Sequence, residues 1–132
     1  MAKENKPSGW ENENLWESVQ DAFCGVRHIL THHRNARIIF LSAIFNVAVG
    51  LYLKISNLEL FVLGVAIMVV FIAEVINTLI EDLSDLITRE YNPKIKLIKD
   101  VAAGVVLVAV GFALALGYFV FFNRILALWK GV

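Results

Sequence analysis

The chain holds a single cysteine, Cys24, so no disulfide can close within it; the lone thiol fits a reducing side or a membrane face. Excess charge of one sign is missing too. Twelve Lys and Arg balance twelve Asp and Glu, which leaves no basic surplus for a nucleic-acid partner. No apolar run begins before Ile38, and residues 1–13 are polar and mixed in charge, so a secretory signal is not expected there. Neither the phosphate-cradling G-x-x-x-x-G-K-[ST] nor a kinase glycine-rich loop occurs. Any nucleotide would have to bind on helix surfaces at a membrane boundary.

What the chain has in abundance is apolar surface. Its 132 residues are 58% hydrophobic, and the mean hydropathy is +0.68. That is too apolar for a small soluble domain, and the length allows three or four membrane spans. A span needs about 20 apolar residues. Three segments qualify: 37–53, which is short and carries Asn46; 60–80, interrupted by Glu74 and Asn77; and 101–122. Residues 14–35 repeat Leu15, Val19, Phe23, Val26 and Leu30 at helical spacing, as expected for an amphipathic helix lying in the membrane interface. The fold class is therefore all-α integral membrane, with three transmembrane helices and an N-terminal interfacial helix, in one domain over 1–132.

Three spans would put the N-terminus and the loop after the second span on one side. Nine of the twelve basic residues fall there, against Lys54, Arg124 and Lys130 on the other. The positive-inside rule makes the richer side cytoplasmic; a two-span reading would spoil the asymmetry.

The apolar run 60–73 ends in EVINTLIEDLSD, residues 74–85. At about 100° per residue, Glu74, Asn77, Glu81 and Asp85 fall within a sector of about 80°. Glu74 lies about 10 Å deeper than Glu81 by helix rise. A carboxylate at the bilayer centre costs about 2.5–3.5 kcal/mol, less toward the edge, and usually serves a function. The simpler alternative is interhelical hydrogen bonding by Glu74 and Asn77. Carboxylates and an amide are hard oxygen ligands suited to Mg²⁺, and Lys96 and Lys99 on the next element suit phosphate. A buried carboxylate at headgroup depth suits a general base. These point to phosphoryl transfer onto a lipid hydroxyl, although an ion pathway or proton relay would use the same residue types. Gly104, Gly111 and Ala115 share one face of the third span, as a small-residue packing stripe does.

The stretch 74–108, EVINTLIEDLSDLITREYNPKIKLIKDVAAGVVLV, resembles the small bacterial membrane lipid kinases, the diacylglycerol kinase and undecaprenol kinase family. The family pattern is roughly E-x-x-N-[TS]-x-I-E-x-x-x-D, a loop with H-P, then K-x-x-K-D-x-A-A-G, and the last part is closer to the undecaprenol type. The resemblance implies a homotrimer in the bacterial inner membrane, with sites shared between protomers and direct transfer from Mg-ATP. It implies Glu74 as general base toward the lipid hydroxyl and Asn77 and Glu81 at the metal. It further implies Lys99 on the phosphates, with Lys96, Asp85 and Asp100 around the nucleotide.

Two positions depart from the pattern. The family's N-terminal motif is roughly G-x-x-x-x-x-x-x-E-R-N, and the chain has GVRHILTHHRN. Gly25, Arg34 and Asn35 match, while His33 stands where the pattern has a metal-binding glutamate. Imidazole can ligate a metal but suits Zn²⁺ or Cu better than Mg²⁺. His33 is expected within reach of Glu81 as a weakened ligand, and an inactive or repurposed lipid-binding or assembly relative is the alternative. The loop histidine is Asn92. His28 and His32, four residues apart, could clamp a soft metal but have no third ligand in register; interfacial histidines near lipid phosphates are the plainer reading.

Overall fold

The computed structural model describes residues 15–129. The expected polar tail 1–13, Asn14, and with them Lys3, Lys6 and Lys130, lie outside the described residues. Four helices follow one another: α1 (Leu15–His32), α2 (Arg34–Tyr52), α3 (Asn57–Ile87) and α4 (Pro93–Trp129). Three of them, α2, α3 and α4, are long and apolar enough to cross a membrane. The protein is all-α and membrane-type, as its composition requires.

The long helices overrun the expected spans. At 1.5 Å per residue α3 is about 46 Å long and α4 about 55 Å, against a hydrocarbon core of about 30 Å. The expected segments 60–80 and 101–122 are thus the apolar middles of longer helices. Polarity after Ile80 ends lipid burial, not helical hydrogen bonding; the helix itself stops at Thr88, which is extended (φ −159°, ψ 145°). Five residues then turn the chain. Asn92 caps α4 by accepting from the backbone N–H of Lys94 at 2.9 Å, and Pro93 takes the first helical position, where its missing N–H costs nothing. The departure at Asn92 thus has a local structural use.

At the opposite end, Lys54 turns the chain out of α2 in the left-handed region (φ 51°). Gly50 is buried against Ile55, whose Cδ1 would sit 2.7 Å from a Cβ there. Ser56 then starts α3 with a capping box: its Oγ accepts from the Glu59 N–H, and Glu59 accepts from the Ser56 N–H at 2.6 Å. The same Glu59 carboxylate accepts from Arg124 Nη2 at 3.1 Å, tying α3 to α4.

Most packing lies between α3 and α4, less between α2 and α3, and α1 leans chiefly on α2. The core is thin, with Val70, Ala73 and Ala109 at its centre and Ile39, Val106, Val110 and Ala113 around it. Small residues bring the two backbones close. They are Ala102 and Ala109, seven residues apart and both buried. The stripe expected from Gly104, Gly111 and Ala115 points elsewhere: Gly111 and Ala115 are exposed, and a Cβ at Gly104 or Gly111 would meet nothing within 4 Å. That stripe is turned by about 160° from the Ala102–Ala109 seam. In α2, Asn46 needs no partner from another helix, because its Nδ2 donates to the Ser42 carbonyl at 2.7 Å.

Not one residue of α1 is buried. Its apolar stripe is open, with Phe23 72% exposed, as an interfacial helix with its apolar face in lipid would be. The break before α2 is a single residue, His33, so α2 begins three residues earlier than the expected span at 37 and α1 ends at His32 rather than 35.

Candidate active site

The polar stripe of α3 resolves into two layers. The inner one is buried in the protein. Glu74 is 4% exposed, Asn77 7% and Thr78 3%. Asn77 Nδ2 donates to Glu81 Oε1 at 3.3 Å, while Asn77 Oδ1 is buried without a partner. Among the described residues the Glu74 carboxylate makes no hydrogen bond, and its oxygens are less tightly enclosed than Asn77 Oδ1. A buried polar group without a partner is costly and rarely accidental. Among the described residues neither Glu74 nor Asn77 bonds to another helix; the one bond formed stays within α3.

The outer layer is solvated and charged. A cavity of about 500 Å³ lies at the turn between α3 and α4, lined by Asp85, Arg89, Asn92, Lys96, Lys99 and Asp100 among others. Lys99 Nζ donates to Asp85 Oδ1 across the helix pair at 3.0 Å. Lys96 is held by Asp100 on its own helix. The pairs at Asp85–Lys99 and Ala73–Ala109 set the antiparallel register. With a helix rise of about 1.5 Å per residue, Lys99 then stands roughly one turn outward of Glu81.

Asn77, Glu81, Asp85, Lys96, Lys99 and Asp100 therefore sit at one end of the α3–α4 pair, with Glu74 as the innermost member. His33 joins them differently from expectation. Its Nε2 faces Asp82 Oδ2 at 3.9 Å, and no ion pair links it to Glu81 among the described residues. Asp82 lies about 60° beyond Asp85 on the helix wheel, outside the stripe, so periodicity along α3 does not mark it. Its proximity to an unusual His33 was the signal available. Thr78 and Ser84 are further buried polar groups; Ser84 Oγ donates to the Ile80 carbonyl at 2.7 Å. His28 and His32 stack face to face, ring centroids 4.2 Å apart, which does not aim two lone pairs at one ion.

The donors suit Mg²⁺ bound with phosphates better than a metal held by protein alone. Among the described residues no three His, Cys, Asp or Glu side chains converge as a ready cage. Asn77 and Glu81, one turn apart and joined through Asn77 Nδ2, each carry a hard oxygen, that of Asn77 being without a partner. Mg²⁺ typically takes one or two such ligands and fills the rest with phosphate and water.

Residues 20–121 match the family of prokaryotic diacylglycerol kinases. The chain belongs to that family. The match includes every site residue named here, from His33 to Asp100. A diacylglycerol kinase of Synechocystis sp. is 31% identical over 105 residues, which cover 79% of this chain and 60% of that relative. The chain thus spans about three-fifths of the length of that family member.

Proposed function

We propose that the protein is an ATP-dependent lipid kinase of the bacterial inner membrane, N-terminus cytoplasmic, working as a homotrimer. It would transfer the γ-phosphoryl group of Mg-ATP to the hydroxyl of a membrane lipid, undecaprenol or diacylglycerol. The observation that carries this is the unpartnered, buried Glu74, set about 10 Å inward of Glu81 along the helix, beneath a cavity lined by lysines.

Lys96 and Lys99 neutralise phosphate charge at the cavity. Asn77 and Glu81 would hold the metal side of the nucleotide, where Mg²⁺ would neutralise phosphate charge. Asp85 and Asp100 fix the two lysines through the ion pairs described above. Glu74 accepts the lipid hydroxyl proton as that oxygen forms a bond to the γ-phosphorus. The bond from the γ-phosphorus to the bridging oxygen breaks, and ADP leaves. A membrane lipid brings its hydroxyl to headgroup depth, which is where a carboxylate below the helix's charged end can meet it.

The alternative, a relative that has lost catalysis and serves as a lipid-binding or assembly protein, draws on one observation, the imidazole at position 33. The deciding experiment uses purified protein, labelled ATP, Mg²⁺, and undecaprenol or diacylglycerol in separate micelles. A labelled lipid product is expected with one acceptor at least. No product with either would favour the non-catalytic reading.

A further inference from the structure

His33 is where the chain parts from its family's pattern, and Asp82 is what it meets there. His33 is a single extended residue between α1 and α2, with φ −105° and ψ 116°. It holds the N-cap position of α2, yet its side chain makes no capping hydrogen bond. The ring turns to α3 instead, where Nε2 comes within 3.9 Å of Asp82 Oδ2. The His28 ring stands edge-on at 6.1 Å and closes one side. The His33 side chain is 26% exposed and that of Asp82 57%. Among the described residues, Asp82 has no other polar partner.

The separation is an ion-pair distance rather than a hydrogen bond, and a small rotation of the more open Asp82 side chain would close it. A carboxylate facing one ring nitrogen keeps the proton on that nitrogen and leaves the other bare, fixing the ring's orientation. Asp82 adjoins Glu81 in sequence and is turned from it by about 100°.

We propose that Asp82 is a positioning residue. It holds the His33 imidazole against α3 with the proton on Nε2, and so docks the α1–α2 corner beside Glu81. The consequence for Mg-ATP rests on the kinase reading above; the contact itself does not. His33→Glu alone would bring two carboxylates to within about 4 Å, where like charges repel. The substitution therefore harms the site unless Asp82 changes with it.

The test begins with the full chain in detergent, its histidines labelled with ¹⁵N, in buffer alkaline enough to keep imidazole neutral. The His33 signal is assigned by its loss in His33→Gln. The wild type is expected to show a protonated Nε2 and a bare Nδ1. Asp82→Ala loses that preference and Asp82→Glu retains it. In turnover assays Asp82→Ala raises the apparent KM for Mg-ATP by about tenfold, as loss of a ligand-orienting partner does, and leaves the lipid KM unchanged. His33→Glu is impaired in the same way, and His33→Glu with Asp82→Asn recovers most of the loss. His33 shifts that are the same in Asp82→Ala and wild type overturn the proposal, whatever the kinetics. An equal loss for both substrates, or a double variant no better than His33→Glu, overturns the docking of the corner beside Glu81. Altered shifts in a protein with no turnover on any lipid uphold the contact and count against the kinase reading.

Discussion

In the proposed reaction Glu74 is the base. It is buried at 4% exposure without a polar partner among the described residues, a costly placement for a carboxylate. Glu74→Gln keeps shape and burial and removes the base. Turnover on the accepted lipid should fall by at least about 10²-fold, as general-base loss does, with the oligomer unchanged on a sizing column. Near-normal turnover would end its assignment as base. Glu81 and Lys99 are the residues proposed to serve the nucleotide. Glu81→Gln leaves an acceptor for Asn77 Nδ2 but removes the charge, and Lys99→Ala empties the position opposite Asp85. Each should raise the apparent KM for Mg-ATP more than that for lipid. A defect confined to the lipid KM would contradict both roles.

Among the elements, the α3–α4 pair holds the site, because its two layers are read along α3 and answered from α4. The seam through Ala73 and Ala109 is buried between the two helices. Ala109→Leu should overpack it at a cost of about 1–3 kcal/mol, seen as a lower midpoint when the helical signal is titrated with SDS. An unchanged midpoint would mean the seam opens more readily than its burial implies. The other end of α3 relies on its cap. Ser56→Ala removes the acceptor for the Glu59 N–H and should cost about 1 kcal/mol in the same titration. Turnover of the surviving folded protein should not change, since Ser56 lies at the opposite end of α3 from the charged cavity.

For the whole molecule, orientation and assembly are the open quantities, and Cys24 offers a native probe of the first. It is the sole cysteine and is exposed on α1. If the N-terminal side is cytoplasmic, a membrane-impermeant maleimide should leave Cys24 unlabelled in intact spheroplasts and label it after lysis. Labelling before lysis would reverse the orientation inferred from the nine-to-three bias in basic residues. A trimer with shared sites would have its own signature. Protomers carrying Glu74→Gln mixed with protomers carrying Lys99→Ala should regain activity that neither has alone, and strictly additive residual rates would argue for sites contained in one protomer.

Composition and periodicity by themselves determined the class and the number of helices. A run such as 60–73 has few ways to satisfy its backbone in lipid except as helix. They also determined the stripe Glu74–Asn77–Glu81–Asp85, because 3.6-residue periodicity is a local property of one helix. Helix ends were less legible: α3 and α4 continue past the lipid boundary, where hydropathy falls but nothing in 81–87 breaks the helix. Partnerships between helices were decided only by the tertiary structure. The register of α4 on α3 chose Asp85 for Lys99 and placed the close seam at Ala102 and Ala109 instead of the glycine face. The break at His33 turned its ring toward Asp82, not Glu81. Such choices depend on how two helices rotate and slide against each other, and a pattern along one chain does not encode that relation.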